Sequence, residues 1–221
     1  MEAMRGNHLL CPLLIAFSHL LPAATPVASA TFTGGEQGRI LIAAKINGKG
    51  PFPFIFDTGS INIISLDLAN ELGISVSGKQ SMAAFGGSLE TGSAVVDSIT
   101  VGNYTTSDTV TMPHTQVAVI GGGPFTHGGP VGFLGSQFLV NLVIEVDYEH
   151  GWLDFYDPAT YSYSGTAVRL PVSLAGNLIL VPVRIYGQTA AFELDSGNEN
   201  SDLVLFRRFV TQQRYTRRSK P

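Results

Sequence analysis

The chain has 221 residues, 44% hydrophobic and 14% charged, which is enough apolar surface for a real core in one or two domains and too much for a disordered protein. Its 25 glycines and 12 prolines, set among Val, Ile, Thr and Phe, favour strands and turns over long helices. The formal net charge is −4, and six of the 13 basic residues (Arg207, Arg208, Arg214, Arg217, Arg218 and Lys220) stand at the far end, so the body is acidic and no nucleic-acid partner is expected.

Residues 1–30 read as a secretory signal, with Arg5 near the start, an apolar run over 9–21, and Ala28-Ser29-Ala30 as a small-residue cleavage pattern. The run is interrupted by Pro12 and falls short of the ~20 residues that span a bilayer. The mature chain is therefore expected to begin at Thr31, to be secreted or periplasmic, and to have no membrane partner once the leader is gone. Cys11, the one cysteine, leaves with the leader, so no disulfide is expected.

Beyond Gly38 an apolar, β-branched run ends at Asn47-Gly48, a hairpin signal, and the return strand Phe52-Pro53-Phe54-Ile55-Phe56 delivers Asp57 into a tight turn with Thr58, Gly59 and Ser60. A carboxylate at the end of an apolar strand is placed in a core, where ionising it alone costs several kcal/mol. Gly59 suits a close backbone approach, and Thr58 supplies a hydroxyl to hold the turn. Ile63 and Ile64 resume a strand, and Ser65 caps a short helix over 66–72 that Gly73 ends. Residues 81–90 form two strand-like arms around Gly86-Gly87, with Phe85 beside the tip. Strands follow over 94–101 and 109–112, and then a glycine-rich loop over 121–130 that lacks the Lys-Ser or Lys-Thr of a phosphate cradle. Residues 131–140 give a second apolar turn, Phe133-Leu134-Gly135, and a short helix. The segments 143–148 and 152–155 pair across Glu149-His150-Gly151. His114, His127 and His150 lack ligand spacing, so neither a metal nor any other cofactor is expected.

After a connection over 158–166 the pattern recurs. Gly38 to Asp57 and Gly176 to Asp195 each span nineteen residues, 178–187 echoes 40–48, and Phe192-Glu193-Leu194-Asp195-Ser196-Gly197 repeats an apolar strand, an acid, a small hydroxyl residue and Gly. Two such turns imply two facing carboxylates. Leu203-Val204-Leu205 echoes Ile63-Ile64, but Asn198 stands where the first turn has Ser60, and only 26 residues follow Asp195.

With Phe-Asp-Thr-Gly-Ser, Leu-Asp-Ser-Gly-Asn and Phe-Leu-Gly in view, the sequence resembles the pepsin-like and retropepsin-like aspartic proteases. The resemblance implies an all-β fold of barrel-like lobes with short helices: one complete lobe over 31–157, and an incomplete second lobe with a basic tail over 167–221. It implies Asp57 and Asp195 as catalytic acids, with Thr58, Gly59, Ser60, Ser196 and Gly197 as the active-site turns. It also implies a flap at Phe85, Gly86 and Gly87, and a peptide or protein substrate whose bond is hydrolysed by a water held between the acids. Two other readings stand beside this one. The chain could be an inactive peptide-binding domain, or two chains could form a homodimer that pairs Asp57 with Asp57.

Overall fold

The computed structural model describes residues 24–34, 38–84, 87–122, 125, 128–163, 165–198 and 203–212. These are mostly β-strand, with three short helices. Strands β1 (Ala28–Gly34) and β2 (Ile40–Ile46) enter first. In β2 the residues Ile40, Ile42, Ala44 and Ile46 are buried while Leu41, Ala43 and Lys45 stay at least partly exposed, the period-two burial of a strand covered on one face. Asn47 and Gly48, with φ of 51° and 73°, turn the chain into β3 (Lys49–Phe56). Both central residues of that tight hairpin need positive φ, and Asn-Gly supplies them most readily. The three residues before the acid, Phe54, Ile55 and Phe56, are all buried, because the end of β3 is covered on both faces.

Past Asp57 the chain forms β4 (Ile63–Ser65) and helix α1 (Leu66–Leu72). Ser65 Oγ accepts the Leu68 N–H at 3.1 Å and Gly73 ends the helix in the left-handed region, as the cap residues predict. Strands β5 (Ser77–Ala84), β6 (Gly87–Asn103) and β7 (Asp108–Ile120) form two successive hairpins. The strands expected over 94–101 and 109–112 are thus longer than the pattern showed. One stretch of β6 pairs with β5 and β7 and another with β2 and β7, so neighbours hold it extended where its own residues are polar.

Then come β8 (Gly132–Leu134), α2 (Ser136–Leu139), and the predicted hairpin of β9 (Val143–Asp147) and β10 (Trp152–Tyr156). The first ten strands form one sheet in the order β5-β6-β7-β4-β8-β3-β2-β1-β10-β9, closed further by a β6–β2 pairing. It encloses a core that includes Ile42, Phe54, Leu134, Phe138, Leu153 and Phe155. At the centre β3 and β8 run parallel while β4 is antiparallel to β8, which brings the Asp57 turn against Phe133-Leu134-Gly135.

The lobe starts upstream of the boundary expected at Thr31. Ala28 to Thr31 pair with Phe155 to Trp152, Ser29 Oγ donates to Asp154 Oδ1, and Ala28 and Ala30 are buried. Small residues suit a leader-peptidase site, and they also suit a strand packed tightly over Leu153 and Phe155.

A three-stranded antiparallel sheet follows: β11 (Ser173–Ala175), β12 (Leu178–Ile185) and β13 (Gln188–Glu193). Tyr186 and Gly187, with φ of 47° and 84°, repeat the Asn47-Gly48 turn. None of these strand residues is buried, in contrast to their counterparts in β2 and β3. Residues 203–205 are not a strand, because no counterparts of β7 and β8 flank them among the described residues. A helix, α3 (Arg207–Gln212), which the sequence reading took for part of a polar tail, sets Phe209 edge-on to Phe192 at 5.5 Å.

A chain that begins at Thr31 should unfold at lower denaturant concentration than one that begins at Ala24. It loses the first half of β1 and uncovers Leu153 and Phe155, and the expected loss is a few kcal/mol. Urea melts of the two purified chains measure it.

Candidate active site

Asp57 closes β3 at the base of the turn and is only 8% exposed. Its backbone N–H donates to Leu134 O at 2.9 Å, the Gly59 N–H donates to its Oδ1 at 2.9 Å, and the Ser60 N–H donates to its carbonyl at 3.3 Å. Asp195 occupies the same place after β13. The Gly197 N–H donates to its Oδ1 at 2.9 Å and the Asn198 N–H to its carbonyl at 3.4 Å. The two turns are therefore built alike, although the residue at Asp195 is exposed.

They are also built into each other. The Thr58 N–H donates to Ser196 Oγ at 3.0 Å, and the Ser196 N–H donates to Thr58 Oγ1 at 3.0 Å, each across 138 residues of chain. Each hydroxyl then donates a hydrogen bond to a carbonyl beside the opposite acid, Thr58 Oγ1 to Leu194 O at 2.6 Å and Ser196 Oγ to Phe56 O at 3.0 Å. Thr58 thus holds the opposite turn and not its own, contrary to the sequence expectation.

The glycines decide how close the acids come. A Cβ on Gly59 would lie 2.8 Å from Asp195 Cγ, and one on Gly197 would overlap the Asp57 carboxyl. Neither glycine has a positive φ, so the requirement is space and not backbone conformation. The carboxyls come within hydrogen-bonding reach of each other. Burial, then the charge of Asp195, pushes the Asp57 carboxyl up to about 7, against a smaller opposing pull from the Gly59 N–H.

A brace that the sequence reading missed supports the first turn. The Ser136 N–H and Oγ both donate to Ser60 O, at 2.9 and 3.2 Å. Asn62 Oδ1 accepts the Gly135 N–H at 2.9 Å, and the Asn62 N–H donates to Gln137 Oε1 at 2.9 Å. Gly135 is required here because a Cβ would overlap Ile61 and the Ser60 carbonyl. In the sequence Ser136 and Gln137 fall in the segment 131–140 with its expected short helix, and Asn62 stands at the entry to the strand of Ile63 and Ile64, so none is marked as a brace. In the structure Asn62 and Ser136 are buried, at 1% exposure each, which their polar side chains do not announce in the sequence.

Of the expected flap, Phe85 and Gly86 lie outside the described residues, and Gly87 begins β6 with open space around it. Among the described residues no group of three or more His, Cys, Asp or Glu side chains could hold a metal ion.

Residues 42–138 match the family model described as aspartyl protease. That match spans fewer than half of the chain's 221 residues and supports an aspartic-protease-like reading of this segment. The matched segment runs from β2 to α2 and so contains the Asp57 turn and its Gly135 brace. A retropepsin-like aspartic protease from Rickettsia conorii is similar in structure at 16% identity and a TM-score of 0.41, covering 57% of this chain and 89% of that one. No curated protein matches the sequence.

A turn with a raised carboxyl leaves a mark on stability. Between the ordinary 3.8 and about 7, the folded chain holds a proton on Asp57 that the unfolded chain has released. Stability should therefore fall as pH rises through that window and level off above it. Asp57→Asn should remove this part of the slope and make the chain more stable than wild type at pH 8, read from denaturant melts across pH.

Proposed function

We propose that the chain is an exported aspartic endopeptidase whose whole site lies in one polypeptide. The observation that carries this reading is the reciprocal lock of Thr58 and Ser196, which holds Asp57 against Asp195 within one chain. Two carboxyls this close share one proton, since both cannot ionise at moderate cost. Burial favours the proton on Asp57.

The chemistry follows from that asymmetry. A water between the carboxyls gives a proton to Asp195 as its oxygen attacks the peptide carbonyl carbon. Asp57 donates its proton to the carbonyl oxygen, and a tetrahedral diol forms. Collapse of the diol breaks the C–N bond, and the leaving amine takes up the proton held on Asp195. The acid Asp57 recovers its proton as the carboxyl product reforms. No covalent enzyme intermediate is involved. The substrate is a peptide or protein, and export rests on residues 1–30, most of which lie outside the described structure.

The inactive peptide-binding alternative draws on the exposed second sheet and on the Asp195 turn, which among the described residues has no counterpart of the Ser136 and Asn62 brace. Kinetics separate the readings. Asp57→Asn and Asp195→Asn should each lower kcat/KM by roughly 10²–10⁴-fold with the fold retained. Activity per molecule should not change on dilution, and a statine-type peptide should inhibit. Peptide binding without turnover in the wild-type chain would support the alternative. A fall of specific activity on dilution would support the homodimer.

A further inference from the structure

We propose that Glu193 is a third carboxylate of this site, a positioning residue whose charge sets the alkaline limit of the pair's working range; this rests on the reading of Asp57 and Asp195 as proton-sharing acids. The 138-residue repeat puts Glu193 where the first lobe has Ile55, a residue with no exposed surface in the middle of the apolar run that leads to the acid. Stability alone favours an apolar residue at such a position. The second copy has an acid instead.

Glu193 ends β13 two residues before Asp195, and the Leu194 N–H between them still donates to Ile179 O at 2.8 Å as in the ladder, so the chain stays extended there and both side chains leave the same face. Across the ladder β12 presents Leu180, an apolar neighbour. Among the described residues no lysine, arginine or histidine pairs with Glu193, and its carboxyl makes no side-chain hydrogen bond. The charged groups that face it are Asp195 on its own turn and Asp57 across the site. Its residue keeps contact with solvent, but partial shielding of the carboxyl, and then the charge of Asp195, raise its pKa. Its own charge raises Asp57 in turn.

The consequence is one-sided. Because its pKa is raised, Glu193 carries less of its charge toward the acid limb than an ordinary glutamate would. At the alkaline limb, where the shared proton leaves, Glu193 is ionised and opposes a further negative charge. The proton is therefore held to higher pH, and the attack-competent, singly protonated pair survives further toward neutrality.

The test is the pH-rate profile of peptide cleavage by the full chain, together with ¹³C NMR titration of its aspartate carboxyls, which needs no turnover. Glu193→Gln should lower the Asp57 titration midpoint and the alkaline limb by about 0.5–1 pH unit and leave the acid limb in place. Glu193→Asp, which keeps the charge, should retain most of the wild-type alkaline limb. The proposal is overturned if Glu193→Gln leaves the Asp57 midpoint unmoved, if both limbs shift together, or if Glu193→Asp behaves like Glu193→Gln. Failure of the paired-acid reading looks different, because Asp195→Asn would then leave the Asp57 titration untouched.

Discussion

The structure depends on one reciprocal contact, in which two hydroxyls, Thr58 and Ser196, each take a backbone N–H from the opposite turn and donate a hydrogen bond to a carbonyl beside the opposite acid. Four hydrogen bonds, two in each direction, leave neither turn free to slide. The acids beside them are forced together, and the glycines beyond them keep the space into which the carboxyls project. Two isolated carboxylates would separate and ionise at ordinary pH. Locked together with one of them buried, they hold a proton to about 7, as Asp57 shows. The chemistry proposed for the chain is a consequence of that enforced proximity.

The lock joins unequal parts. The first lobe buries Phe54, Ile55, Phe56 and Leu134 around the root of Asp57 and braces its turn through Asn62, Ser136 and Gln137. The second sheet contributes a turn and little core. None of the residues in its strands is buried, and Val168, Leu170, Val172 and Leu174 are largely exposed. The position of Asp195 is thus borrowed from the first lobe through Thr58, and rigidity passes from the ten-stranded core across the lock to the second acid. The same inequality explains why burial raises Asp57 in particular, although the two turns have the same backbone plan.

The parts legible in the sequence were those written in local chemistry. Asn47-Gly48 announces a primed hairpin, Ser65 and Gly73 bracket a helix, and the repeated acid, hydroxyl and glycine mark the two turns. What could not be read depends on contacts between distant residues. Thr58 looked like a support for its own turn because nothing local shows that its partners lie about 138 residues away. Asn62, Ser136 and Gln137 carry no pattern of their own. Ala28-Ser29-Ala30 resembles a peptidase site because its residues are small, but small residues also suit tight strand packing, which only the pairing with β10 shows. Leu203-Val204-Leu205 has strand-forming residues, yet a strand needs a neighbour as well as a propensity.

The central claim is that each site is made by a single chain, and a mixing experiment tests it most directly. Chains carrying Asp57→Asn and chains carrying Asp195→Asn would be assayed for peptide cleavage separately, and then after co-refolding at equal concentration. The account predicts activity lowered by roughly 10²–10⁴-fold in either variant and no recovery in the mixture, because every chain would hold only one acid of its own pair. Near wild-type cleavage by the Asp195→Asn chain alone, or activity regained on mixing, would contradict it.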